Sequence, residues 1–175
     1  MDREQTAFTW KGGGKLRSII VSVSVAVPDM SPREYRGLID TGASNTCVTK
    51  KVVEELGLIQ VGLTENHTAG GKVENCPTYV ADIQINGPHK SVRFQKIVVV
   101  QIEASDFHDL LIGMDILTNM DLSITNKGGV TKVTMAYPST REFDFVPDSN
   151  NHNRFLADKQ RREANRALRK TKKKK

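Results

Sequence analysis

From Ile19 to Val27 apolar and polar positions alternate. Ile19, Val21, Val23, Val25 and Val27 fall on one face, with Ser18, Ser22 and Ser24 opposite. A period of two predicts a half-buried strand. Tyr35 to Ile39 predicts a second strand, running into the turn formers Asp40, Gly42 and Ser44. Val52, Val53 and Leu56 cluster at helical spacing instead and predict a helical turn over 52–58, which Gly57 can end. Tyr79 to Ile85 alternates again and meets Asn86-Gly87, a strong hairpin signal. Val92 to Ile102 contains the unbroken run Ile97-Val98-Val99-Val100, which reads as a strand buried on both faces. After Gly113, Asp115 is placed to cap a short helix through Ile116, Leu117 and Met120. Leu122 to Thr125 and Val130 to Ala136, divided by Lys127-Gly128-Gly129, make a last hairpin. Many short strands at regular spacing, with one or two small helices, predict an all-β fold closed into a barrel.

Composition narrows the class. A length of 175 residues is a soft prior for one domain, with chain enough for a core but not for two full lobes. No run reaches the roughly 20 apolar residues of a transmembrane helix. The polar start Met1-Asp2-Arg3-Glu4-Gln5 lacks the apolar stretch of a signal peptide. Cys47 and Cys76 have no metal-type spacing, and without a secretory signal they read as two reduced thiols in a cytoplasmic protein. His67, His89, His108 and His152 are scattered, so no metal or other cofactor is expected. Charge is uneven: Asn151 to Lys175 holds eleven Lys and Arg against Asp158 and Glu163, a net of +9 in a chain of +6, leaving −3 on residues 1–150. Basicity is therefore a property of the C-terminal tail. Such a tail can contact nucleic acid or an anionic surface weakly, or serve only as a solvated extension. It lacks the aromatic–basic interleaving of the RNA-binding type.

The candidate chemistry sits in two short segments. Leu38-Ile39-Asp40-Thr41-Gly42-Ala43-Ser44 places an aspartate on a tight turn after an apolar strand, and Leu110-Leu111-Ile112-Gly113 supplies a second apolar strand ending in glycine. A glycine-bearing hairpin, His67-Thr68-Ala69-Gly70-Gly71-Lys72, lies between them, and a short helical segment follows. In this order the elements resemble the retropepsin-like aspartic peptidases, the single-domain relatives of pepsin. The resemblance covers roughly residues 17–137 and implies a closed, homodimeric β-barrel. Only one Asp-Thr-Gly is present, whereas the chemistry needs two carboxylates. It therefore implies a homodimer with one Asp40 from each chain.

The resemblance assigns Asp40, Thr41 and Gly42 to catalysis. Two carboxylates about 3 Å apart cannot both ionise and share one proton. One acts as general base on water while its protonated partner polarises the scissile carbonyl. Thr41 matches the family threonine that bonds across the dimer axis. Ala43 stands where pepsin-like enzymes carry a hydroxyl residue, so the dyad is expected to work at a less acidic pH than a gastric enzyme. Substrate contacts are expected from Ala43, Ser44, Asn45, Ala69, Gly70, Gly71, Ile112 and Gly113, with residues 67–72 as a flap over an extended peptide.

Two departures matter. Ser44 and Asn45 stand where retropepsins often carry acidic residues, and Met114 stands where viral members tend to have an arginine that supports the dimer. Gly-Met-Asp-Ile-Leu is closer to cellular and bacterial members than to viral ones. The expected domains are an N-terminal segment (1–16), the protease domain (17–147) and a basic tail (148–175), disordered or partly helical. Alternatives to an active endopeptidase are a catalytically silent dimerisation or peptide-binding module and a nucleic-acid-associated protein acting through its tail. The intact Asp40-Thr41-Gly42 favours the endopeptidase, because a binding module has no need for a self-repelling carboxylate pair.

Overall fold

Strand pairing follows the period-two segments and adds strands they do not announce, one near the N-terminus, one just after the Asp40 turn and one leading into the glycine-bearing hairpin. The computed structural model describes residues 4–14, 16–68 and 70–172. Its strands are β1 (Thr6–Lys11), β2 (Ile20–Ala26), β3 (Arg33–Ile39), β4 (Cys47–Thr49), β5 (Gln60–Thr68), β6 (Gly71–Asn86), β7 (Ser91–Ile102), β8 (Leu110–Ile112), β9 (Asp121–Thr125) and β10 (Lys132–Tyr137). With them are helices α1 (Lys50–Leu56), α2 (Met114–Leu117) and α3 (Phe145–Lys172), and a single 3-10 turn at Lys127–Gly129. By its contacts the chain divides into Met1–Thr140 and Arg141–Lys175, the second unit containing α3.

Six strands in the order β2-β3-β8-β4-β7-β6 close on themselves through a β2–β6 pairing, which makes the expected barrel. Val21, Val23 and Val25 of β2 point into it with Ile83 and Ile85 of β6. β5 hangs on the outer edge of β6 as an arm, and the N-terminal part of β6, through Asn75, is exposed. A three-stranded sheet, β1-β10-β9, is separate in its hydrogen bonding. It nevertheless contributes Phe8 and Met135 to the same core. The alternating Phe8 and Trp10 between threonines are the signal for β1.

Several details differ from the expectations. α1 starts at Lys50, two residues early, and ends at Gly57 in the left-handed conformation as read. The hairpin at Asn86-Gly87 is not a two-residue turn. Asn86 still pairs with Ser91, and the Gly87 N–H donates to the Lys90 carbonyl at 2.8 Å across a four-residue loop.

The run from Ile97 to Val100 is not buried on both faces: Val98 is 54% exposed. A bulge causes this. Between the pairs Ala81↔Ile97 and Ile83↔Phe94, Gln95 and Lys96 oppose the single residue Asp82. Lys96 takes a positive φ of 55° there. The buried Asp82 carboxylate holds the bulge through the Lys96 N–H (2.8 Å) and the Arg93 guanidinium (2.6 Å). Inward positions are therefore even before the bulge (Val92, Phe94) and odd after it (Val99). Val100 lies on the opposite face, buried only because Cys47 and Cys76 cover it.

Candidate active site

The Asp40 turn grows directly out of the barrel. β3 runs parallel to β8, with Ile39 opposite Ile112, and the Asp40 N–H extends that ladder by donating to the Ile112 carbonyl at 3.0 Å. The chain then turns sharply. The Gly42 N–H donates to Asp40 Oδ1 (2.9 Å), and the Ala43 N–H donates to the Asp40 carbonyl (3.3 Å). Asp40 and Ala43 are half-buried, whereas Thr41, Gly42, Ser44 and Asn45 are exposed. One carboxylate, with one N–H holding its Oδ1, thus sits at the rim of the fold on an otherwise open loop.

The far side of the loop is tied to α2. Met114 N–H donates to the Ala43 carbonyl (2.8 Å) and Asp115 N–H to the Ser44 carbonyl (3.1 Å). The Asp115 carboxylate accepts the Thr46 N–H (2.9 Å) and the Thr46 hydroxyl (2.8 Å), together with the Ile116 N–H (2.9 Å). Thr46 Oγ1 in turn accepts the Gly113 N–H at 3.2 Å. Asp115 is not the cap of α2, since Gly113 occupies that position. It stands inside the first turn and clamps the loop instead. Gly113 is required by close approach: a Cβ there would lie 2.5 Å from the Asn45 carbonyl carbon and oxygen.

The expected substrate residues separate into three groups. Ala43, Ser44 and Asn45 share the Asp40 loop. Ile112 and Gly113 are brought beside it, but both are buried, and the Ile112 side chain lies wholly in the core. Ile112, expected from the sequence to contact substrate, has its side chain in the core beneath the loop. Alternation along β8 turns Leu111 to the other face, with Cys47 and Val100. Gly70 and Gly71 are exposed at the tip of the β5–β6 hairpin, and Ala69 lies outside the described residues. There the Gly70 N–H donates to Thr68 Oγ1 (3.2 Å), which donates to the Gly71 carbonyl (3.0 Å). Gly71 uses its positive φ of 116°; Gly70 does not need one.

Thr46, Asp115 and Cys47 were not picked out as site residues. Thr46 follows a polar turn and precedes Cys47-Val48, a weak sign that its hydroxyl would be buried. Burial, then the charges of Asp115 and Asp40, push the Cys47 thiol up to about 11, so it stays protonated beside the loop. Cys47 and Cys76 are both free. They approach Val100 from opposite sides of β7: Cys47 pairs with it through β4, and Thr78, two residues after Cys76, pairs with it through β6. Positions two strands apart are separated by about 9–10 Å, too far for the Cα spacing of a disulfide.

Residues 29–119, just over half of the chain, match the family model described as gag-polyprotein putative aspartyl protease. Among solved structures, a retropepsin-like aspartic protease from Rickettsia conorii is similar at 16% identity, over 78% of this chain and 98% of that one, with a TM-score of 0.46. The retroviral protease-like domain of Ddi1 from Leishmania major is similar at 19% identity, over 59% and 79%, with a TM-score of 0.36. No curated protein matches the chain. With the Asp40 turn and the strand that supports it both inside the matched span, the chain belongs to the gag-polyprotein aspartyl protease family.

Proposed function

We propose that the protein is an aspartic endopeptidase whose catalytic dyad is built from the Asp40 of two identical chains. The observation that carries this reading is the single half-buried carboxylate at the rim of the barrel, on a loop whose Thr41, Gly42, Ser44 and Asn45 are exposed. A lone carboxylate can take a proton from water but leaves no second group to polarise the scissile carbonyl while it does so. A two-fold partner supplies it. In the dimer the pair shares one proton, one Asp40 acting as general base and the other as general acid. Thr41 bonds the partner loop. Ser44 and Asn45 hold the backbone of an extended peptide, and the tip at Gly70 and Gly71 covers it. The chemistry belongs to the unit Met1–Thr140, with the basic segment outside it.

The test is subunit mixing. Asp40→Asn should fold and dimerise but cleave nothing in a diverse peptide library read by mass spectrometry. Exchanged at equal amounts with the wild type, it should leave roughly a quarter of the dimers with two aspartates, by random pairing. Activity should therefore fall with the square of the wild-type fraction. A linear fall would mean that each chain carries a complete site, and cleavage by pure Asp40→Asn would remove the aspartate from the mechanism. A wild type that dimerises but cleaves no peptide would favour the silent binding module.

A further inference from the structure

Away from the Asp40 loop, the strongest chemical asymmetry lies on α3. Arg154, Lys159, Arg161, Arg162 and Arg166 are all exposed. At 100° per residue these five fall within one half of the helix circumference. Leu156, Ala157, Gln160 and Ala164 occupy the other half and carry no charge. Phe155, Asp158, Lys159, Arg162, Glu163, Asn165 and Arg166 line one shallow groove along the helix. Asp158 lies inside the basic arc and Glu163 at its margin, so the arc keeps a net positive charge. Residues 151–175 carry +9, against −3 on the rest of the chain.

We propose that this face of α3 docks into the major groove of duplex DNA through its phosphates, without reading the base sequence. From Arg154 to Arg166 the helix rises about 18 Å. A duplex presents one phosphate charge per roughly 1.7 Å, so this stretch faces about ten phosphates. A helix about 10–12 Å across fits the roughly 12 Å major groove of B-form DNA. The deep, narrow major groove of A-form RNA excludes side chains. Four of the five cations are arginines, whose planar forks match phosphate oxygens. A membrane-surface helix would set bulky apolar residues opposite its basic face; between Arg154 and Arg166 only Leu156 is bulky there, and Phe155 lies within the basic arc. Single-strand binders need a series of stacking aromatics, and α3 has Phe155 and, at its start, Phe145.

The full chain is titrated into a labelled 20-base-pair DNA duplex of arbitrary sequence between 50 and 200 mM salt. Five phosphate contacts give a log–log slope of about −4.5, roughly a 500-fold loss of affinity over that range. A variant that relocates charge without changing it combines Arg154→Ala with Ala157→Arg, Lys159→Gln with Gln160→Lys, and Arg166→Ala with Ala164→Arg. It should bind at least about tenfold more weakly, with a slope shallower by about 2–3. Should circular dichroism show that variant to have lost helix, Arg161→Gln, Arg162→Gln and Arg166→Gln use a strong helix former. Each should cut the slope by about 0.9. Undiminished binding by the relocated, still helical variant would reduce the face to diffuse charge and overturn the proposal. So would tighter binding to duplex RNA, to single-stranded RNA or to phosphatidylserine vesicles, or no binding at 50 mM salt.

Discussion

Replacing Thr46 by valine isolates the clamp that holds the Asp40 loop. The side chain is wholly buried and keeps its shape, so the change removes one hydroxyl and little volume. That hydroxyl donates to the Asp115 carboxylate at 2.8 Å and accepts the Gly113 N–H at 3.2 Å. Losing a bond to an ionised acceptor costs about 1.5–3 kcal/mol, and leaving the buried N–H unpaired costs about 1–3 kcal/mol. The added methyl returns about 0.8 kcal/mol of burial. Thr46→Val should therefore destabilise the protein by about 2–5 kcal/mol. With a urea slope of about 2 kcal/mol/M, the midpoint should drop by roughly 1–2.5 M. Urea unfolding at fixed protein concentration reads this, and the fixed concentration keeps mass action from mixing association into the result. Thr46→Ser keeps the hydroxyl and should recover most of the loss. Peptide cleavage by Thr46→Val below its transition should fall more than folding alone explains, because the clamp fixes the loop that carries Asp40. A change under about 0.5 kcal/mol, or equal damage from serine, would show that the hydroxyl does not hold the loop.

Three further outcomes are expected. Gly113→Ala should abolish activity and lower soluble yield, because its Cβ would meet Asn45 backbone at 2.5 Å, whereas Gly70→Ala, with its nearest neighbour at 3.6 Å, should fold normally; equal yields would refute the close-approach argument. Burial acts to raise the Asp109 carboxyl, but the Arg36 N–H (2.9 Å), Lys51 ammonium (3.0 Å) and Arg36 guanidinium (3.6 Å) outweigh it and hold it below the usual range. A depressed folded-state value contributes stability above the unfolded value near 3.9 and loses it as pH falls through the folded one, so Asp109→Asn should lower Tm at pH 7 and the gap should close below about pH 4. Cys47, pushed up to about 11 by burial and then by Asp115 and Asp40, should resist alkylation at pH 8 in the native protein and react fully in urea; rapid native labelling mapped to Cys47 by mass spectrometry would contradict its burial.

Much of this architecture was legible because its determinants are local. The alternation of Val21, Val23 and Val25 sets the face of β2 without any partner, since successive side chains must point to opposite sides. Gly57 ends α1 through its own left-handed backbone. The Asp40 turn is equally local: its Gly42 N–H to carboxylate bond spans two residues. Burial was harder to read, because it depends on what covers a face. Val98 and Val100 point the same way along one strand, yet only Val100 meets Cys47 and Cys76. β1 was overlooked because its six residues pair with β10, more than a hundred positions away.

The sequence by itself determined most of the barrel strands, the barrel class, the Asp40 turn with its glycine-ended counterpart, and the separation of a basic tail from an acidic body. These follow from side-chain periodicity, turn stereochemistry and summed charge, each a property of neighbouring residues. The tertiary structure alone decided that Ile112 lies beneath the loop in the core, that Asp115 clamps Thr46 rather than capping α2, and that Asp82 holds the bulge that reverses β7. Each of these rests on a contact between residues distant in the chain: 69 positions separate Thr46 from Asp115, and 14 separate Asp82 from Lys96. A carboxylate's role is set by which buried N–H and O–H groups lack other partners, and only the closed barrel brings those groups together.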